Sequence, residues 1–224
     1  MEARTTTGGE STGGESLSGR LAQHKIDLPA DQVELLDRYC RLLWEWNTKL
    51  NLTRHTDYEK FVSRDLVDSL VLARHLEAGE RVLDVGTGGG VPGVVLAICR
   101  PELKISLCES VAKKARVVEQ IVAGLGLRIP VYHRRAEDLL TERTFDTLVI
   151  RAVAPLPKLL TWLQDRWGAF DRLLAVKGPH WLAERQEARE RNLLKDLQLH
   201  KLETWPLPGT DSESVLLEIR AKEA

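Results

Sequence analysis

"RVLDVGTGGGVPGVVLA", residues 81–97, is the stretch that decides how this chain folds. An apolar run leads into Gly86, Gly88, Gly89, Gly90 and Gly93, and a second apolar run follows them. The first run predicts a buried strand; the second predicts a helix over 91–100, stopped by Pro101. Glycines between them let the chain turn sharply and remove Cβ atoms that would hold a ligand away from the backbone. No Lys-Ser or Lys-Thr pair follows, which excludes a Walker A phosphate loop. Gly88, Gly90 and Gly93 form G-x-G-x-x-G, a pattern that several nucleoside ligands share.

Beyond the loop the pattern alternates. "KISLCES" reads as a second strand, and "AKKARVVEQIVAGLGL" as a helix ending at Gly124 or Gly126. "PVYHRRA" is a third strand. "FDTLVIRA" is a fourth, followed by the helix "LPKLLTWLQDRW"; "RLLAVKG" is a fifth, followed by a charged helix over 181–196. Such alternation predicts a parallel sheet covered on both faces. The last two strand-like runs, "HKLETWPL" and "ESVLLEIRA", are joined only by "PGTDS". That is too short for a crossover helix, so they pair antiparallel. A dinucleotide-binding domain normally continues with parallel strands, whereas class I S-adenosylmethionine-dependent methyltransferases end on an antiparallel hairpin. The predicted fold class is α/β: a Rossmann-like, mostly parallel seven-stranded sheet with a terminal antiparallel hairpin and an N-terminal helical extension.

The extension comes from two helical stretches. "PADQVELLDRYCRLLWEWNTKL" places Val33, Leu36, Cys40, Leu43, Trp46 and Leu50 at helical spacing, with Asp31 and Glu34 as a capping box. After the break "NLTRHTD", "YEKFVSRDLVDSLVLARHL" resumes through Val62, Leu66, Leu70 and Ala73. The first twenty residues are mostly Gly, Ser, Thr and Glu with almost no large apolar residue and no apolar h-region, so they read as a flexible tail and not a secretory signal. The predicted division is a tail over 1–20, a helical extension over 21–77 and a donor-binding domain over 78–224. With 43% hydrophobic residues in 224, the chain can build a sizeable core. Its net charge of −1 means that nucleic-acid binding needs a local basic patch. Cys40, Cys99 and Cys108 lack metal spacing and read as reduced thiols, so no metal and a cytoplasmic location are expected. No apolar run reaches membrane-span length, and a monomer is expected.

Candidate site residues fall at strand ends. Asp84, just before Gly86, can orient a donor near its ammonium group, through water or a backbone amide. Glu109, ending the second strand, can accept both hydroxyls of a ribose. Ala136 and Glu137, in "RRAEDL", sit where an adenine edge can be read. Arg151 ends the fourth strand on the carboxyl edge, where open α/β sheets bind ligands, and Lys177 ends the fifth as a candidate phosphate contact. Arg54 and Arg64 with His55, and Lys113, Lys114, Arg134 and Arg135, are candidate RNA-binding cations. Trp44 and Trp46 can stack bases, although Trp46 also suits the core. An NAD-dependent oxidoreductase is the competing reading of the loop. The terminal hairpin disfavours it, as does the lack of a hydride-site His or Tyr-Lys pair.

With these residues in place, the chain resembles the bacterial small-subunit ribosomal RNA guanine-N7 methyltransferases, also called the glucose-inhibited division protein B family. The matching segments are "WNTKLNLT", "SRDLVDSL", "RVLDVGTGGGVPGVVLAICRPE", "ESVAKKARVVEQ", "AEDL", "FDTLVIRAVAPLPKLLTW" and "LLAVKG". The resemblance implies S-adenosylmethionine as methyl donor, held by Gly86 through Val91, Glu109, Ala136 with Glu137, and Arg151. It implies 16S rRNA of the small ribosomal subunit as partner, methylated at N7 of one guanine near the decoding centre. Gly89 stands where proline is usual, and Asp65 where histidine is usual after Arg64. Ile150 and Val153 replace a serine and an aromatic residue flanking Arg151. Other readings are a methyltransferase acting on a different RNA or a small molecule, and a non-catalytic ribosome-assembly factor that keeps the fold. Guanine N7 has a lone pair and no proton, so no general base is expected, and Arg151 serves as a positioning residue. Arg151→Ala is then expected to reduce transfer and leave the fold intact.

Overall fold

The computed structural model describes residues 16–222. Helix α1 (Leu17–Gln23) starts inside the expected tail, capped by the Ser16 side chain, and it buries Leu17 and Leu21. Residues 1–15 of that tail lie outside the described residues. Helix α2 (Ala30–Asn47) buries Leu36, Tyr39, Cys40 and Leu43, one stripe of its helical face. The expected capping box is not formed, because Pro29 occupies the cap position and Asp31 lies within the first turn. The second stretch is α3 (Tyr58–Lys60), one π-helical segment over Phe61–Leu66, and α4 (Val67–Arg74).

Strands β1 (Arg81–Val85), β2 (Lys104–Cys108), β3 (Val131–Tyr132), β4 (Phe145–Arg151), β5 (Phe170–Lys177), β6 (Leu197–Pro206) and β7 (Glu213–Ala221) form one sheet in the order β3-β2-β1-β4-β5-β7-β6. The first five are parallel, and β7 runs antiparallel to both β5 and β6. This is the predicted Rossmann-like arrangement with its terminal hairpin. Helices α5 (Gly93–Cys99), α6 (Ala112–Gly124), α7 (Ala136–Leu139), α8 (Leu156–Leu163) and α9 (Trp181–Glu190) supply the cover. Three elements are shorter than expected, α8 among them, which ends at Leu163 and not at Trp167. β3 stops at Tyr132 because the chain leaves the sheet toward α7. The helix predicted over 181–196 ends at Glu190, and Asn192, at φ 58°, turns the chain toward β6.

The pleat decides which side chains meet. Val82 on β1, Val149 on β4 and Leu174 and Val176 on β5 join the core under α1, α2, α4, α5 and α6. Their neighbours Leu83, Val85, Leu148, Ile150, Leu173 and Ala175 join the opposite core, under α7, α8 and α9. Arg151 shares the parity of Val149 and so faces the extension, whereas Lys177 shares the parity of Ala175 and faces α8 and α9. At the amino edge of the sheet, Arg172 Nη2 donates to Glu80 Oε1 at 2.9 Å and to the His75 carbonyl at 2.7 Å, tying the extension to the sheet. No helix among the described residues is long and apolar enough to cross a membrane.

Candidate active site

The chain leaves β1 toward β2 and returns on its other side as β4, which opens a crevice at the carboxyl edge. The glycine loop lies in that crevice. Asp84 Oδ2 accepts the Thr87 hydroxyl at 2.6 Å and the Gly93 N–H at 2.9 Å, so its first task is to tie the strand end to α5. Its other oxygen, Oδ1, is buried without a partner among the described residues. Burial pushes the Asp84 pKa up to about 6, against the pull of the Thr87 and Gly93 hydrogen bonds. Glu109 accepts the Gly88 N–H at 3.0 Å on Oε2 and the Val111 N–H at 2.8 Å on Oε1. Each oxygen keeps a further lone pair, so the carboxylate can still accept two hydroxyls.

The loop glycines have different tasks. A Cβ at Gly89 would stand 2.7 Å from Leu43, and one at Gly93 would stand 2.2 Å from Leu107. Those two let helix α2 and strand β2 pack closely against the loop. The Tyr39 hydroxyl completes the α2 contact by donating to the Gly89 carbonyl at 3.0 Å. Gly88 is different: its φ is 58°, and a Cβ there would meet nothing nearer than 3.9 Å. It is the loop position that faces open space.

That space is a cavity of about 390 Å³, lined by Gly86, Gly88, Val91, Glu109, Lys114 and Arg151, among others. Small-molecule sites span roughly 300–1,000 Å³. A narrower slot of about 90 Å³ adjoins it, lined by Cys108, Ala136, Glu137, Ile150 and Leu159; Gly86, Ser110, Val153 and Trp162 border both. An apolar slot for a flat ring, a carboxylate for a ribose and a glycine cradle with an orphaned buried carboxylate oxygen behind it fit an adenosyl amino acid. The two departures beside Arg151 belong to these walls.

Arg151 closes this cavity and opens onto another. Its Nη2 lies 2.6 Å from Asp65 Oδ1 and its Nη1 3.2 Å from Asp68 Oδ2. Burial opposes its charge, but Asp65 and Asp68 raise its pKa further, so the guanidinium stays protonated. Asp68 also accepts the Trp205 indole N–H at 3.0 Å, and burial raises its own pKa despite Arg151. Asp65 Oδ1 additionally meets His55 Nδ1 at 2.7 Å. On the far side of Arg151 lies a cavity of about 310 Å³ lined by His55, Arg64, Asp68, Arg151, Lys177 and His180, among others. Arg151 and Ala152 border both cavities. Ala152 has φ 55°, left-handed backbone that costs energy without glycine, at the boundary between them.

The expectation that Arg151→Ala leaves the fold intact is corrected by this geometry, because removing the guanidinium strands two buried carboxylates. The candidate RNA-binding cations divide. Arg54 and Lys113 are exposed, Arg64 lines the second cavity and Lys114 the first. Lys177 is not a free cation: the pleat turns it to Glu184, 2.6 Å away, and to the Ala154 carbonyl, 2.9 Å away. Arg134 is spent in a two-pronged pair with Glu142 at 2.7 and 2.9 Å, and Arg135 pairs with Glu137 at 3.1 Å. The Trp44 indole donates to the His55 carbonyl at 2.8 Å and so supports the loop before α3. Trp46 is half-buried under the Lys49 ammonium. Cys40 and Cys108 are buried, and burial raises the Cys99 and Cys108 pKa values to about 12. Sequence reasoning missed Asp68 and Trp205, and gave Asp65 no role beyond its departure from the family. The available signal was two acids three residues apart on an otherwise apolar helical face.

The profile of the family described as rRNA small subunit methyltransferase G matches residues 32–207. A ribosomal RNA small subunit methyltransferase G from Rhodopirellula baltica is 46% identical over 193 residues, covering 86% of this chain and 84% of that one. Its namesake from Pseudomonas paraeruginosa is 37% identical over 196 residues, covering 87% and 89%. Among solved structures, a SAM-dependent O-methyltransferase from Thermotoga maritima superposes with a TM-score of 0.53 at 18% identity, covering 81% of this chain and 72% of that one, and it shares the fold. Matches of this extent establish that the chain belongs to the rRNA small subunit methyltransferase G family.

Proposed function

We propose that this protein transfers the methyl group of S-adenosylmethionine to N7 of one guanine in 16S rRNA of the small ribosomal subunit. By family it is an S-adenosylmethionine-dependent rRNA methyltransferase; the base, the atom and the residue roles are our reading. The observation that carries it is a cavity of small-molecule size over the glycine loop and a cation- and imidazole-lined cavity sharing one wall at Arg151.

The donor, when bound, supplies an electrophilic methyl group on a sulfonium. Glu109 takes the ribose hydroxyls, while Gly86, Gly88 and Val91 give backbone room for the amino-acid end and Asp84 sits behind it with a bare oxygen. Ala136 and Glu137 read the adenine edge from the narrow slot. Arg151 donates to guanine O6, which fixes the base while leaving the N7 lone pair free. Alignment of an uncharged nucleophile needs no proton acceptor, so orientation carries the catalysis. The base has to leave its stack to enter the second cavity, with Arg54, Arg64, Lys113 and Lys114 on neighbouring phosphates.

The test is transfer of labelled methyl from S-adenosylmethionine to small subunits that lack the modification, with the labelled base mapped. Label at N7 of one 16S guanine is the expected result. Donor binding without label would move the acceptor elsewhere. Neither binding nor label would leave a non-catalytic assembly factor.

A further inference from the structure

A guanidinium beside the accepting base raises an electrostatic difficulty. In the transfer, the N7 lone pair forms a bond to the methyl carbon. The carbon–sulfur bond breaks with its electron pair remaining on sulfur, and the positive charge passes to the purine. No proton leaves. An uncompensated cation close to the purine opposes that charge movement. An arginine suited to hold O6 is therefore poorly suited, by its charge, to stand beside N7.

The surroundings of Arg151 resolve this. We propose that Asp65 is a positioning residue that holds Arg151 as a charge-compensated hydrogen-bond donor, so that the guanidinium can hold O6 while the purine becomes cationic. Asp65 is 0% exposed, and its Oδ1 takes both Arg151 Nη2 and His55 Nδ1. Its Oδ2 is buried without a partner among the described residues. Asp65 thus meets its partners through one oxygen and sets a full negative charge against the Arg151 guanidinium. Asp68 supplies the second negative charge from the next turn of the same helical run. Arg151 has five N–H groups, and the two aspartates occupy two of them, so donors remain for the base.

The inference rests on the proposed guanine-N7 transfer, and the unmodified chain in the same assay separates the two. If it labels no guanine N7, the proposed function fails; if it does and Asp65 proves indifferent, only this inference fails. Asp65→Asn keeps the shape and removes the charge. Single-turnover transfer is expected to slow by roughly 10- to 100-fold, with donor affinity and RNA KM unchanged and the melting temperature lowered far less than in Arg151→Ala. In an Arg151→Gln background the same substitution is expected to add no further loss, because Asp65 acts through Arg151. Asp65→Glu, which restores the charge, is expected to recover part of the rate. A parental rate for Asp65→Asn, or a loss that adds in full to that of Arg151→Gln, overturns the proposal. So does a loss of rate matched by equal losses of donor affinity and melting temperature. Should Asp65→Asn not fold, Asp68→Asn carries the same measurements with the same expected and overturning results.

Discussion

The cavity at the glycine loop has as its floor the backbone of residues 86–91, with side chains from the extension, the end of β2, α6, the end of β4 and α8 closing it round; the cavity beyond Arg151 gathers side chains from the extension, the ends of β4 and β5, and the start of α9. The floor of the first is made of backbone turns whose shape follows from chain connectivity. The second is made of charges that hold one another: Arg151 keeps Asp65 and Asp68 compensated, Asp65 also holds His55, and Asp68 also holds Trp205. A backbone-built site can lose its ligand without losing its fold. A charge-built site cannot lose one member without unsettling the rest.

Arg151→Ala gives the largest expected effect and strikes the charge-built side. Transfer should fall by about 100-fold or more, as when a preorganised hydrogen-bond donor is removed. Stability should fall by about 3–5 kcal/mol, the cost of leaving buried charges unpaired. Single-turnover kinetics and chemical denaturation read the two, and unchanged stability would break the comparison. Gly88→Asp is the counterpart on the backbone-built side. Its side chain enters open space, and aspartate tolerates left-handed backbone at a cost of about 1–2 kcal/mol. Donor affinity in calorimetry should drop by about 100-fold, near 3 kcal/mol, with the melting curve far less altered than in Arg151→Ala. Glu109→Gln should cost about 10-fold in donor affinity, or about 1.4 kcal/mol, because the amide keeps only one accepting oxygen for two hydroxyls and two backbone N–H groups.

A pH titration sharpens the comparison further. Asp84 has a folded pKa raised to about 6 by burial. Its contribution to stability is therefore lost as pH rises through that value. Donor binding should follow the opposite sign, weakening as pH falls below about 6 and the carboxylate takes up a proton. Calorimetry between pH 5 and 8, on the chain and on Asp84→Asn, checks both; identical profiles would detach Asp84 from the donor. The smallest effects concern RNA. Arg54→Ala should lower the slope of log affinity against log salt by about 1. Lys177→Ala should leave that slope alone, because its ammonium already serves Glu184.

The same contrast explains what could be read from the sequence. The glycine loop, Asp84 and Glu109 lie at the ends of strands whose apolar runs announce them, and the short link "PGTDS" forced the last two strands antiparallel. Arg151 was found for the same reason, at the end of "FDTLVIR". Its partners were not, because Asp65 and Asp68 reach it from 83 or more residues before, and Trp205 of the terminal hairpin stands behind Asp68, as the Asp68 contact across that separation illustrates. Lys177 was placed on the correct edge and lines the second cavity, but its ammonium is already engaged by Glu184 and the Ala154 carbonyl, a pairing the sequence did not announce. The capping box at Asp31 failed because Pro29 starts α2 two residues earlier. Helix α1 was hidden in a low-complexity stretch, where only Leu17 and Leu21 mark a buried face.

The most direct test is a crystal structure of the protein with S-adenosylhomocysteine and guanosine monophosphate. The account predicts the donor ribose on Glu109, the guanine in the cavity bordered by His55 and Arg64, and O6 on the Arg151 guanidinium with N7 facing the donor sulfur. A ribose away from Glu109, or a guanine bound on the far side of the glycine loop from Arg151, would contradict it.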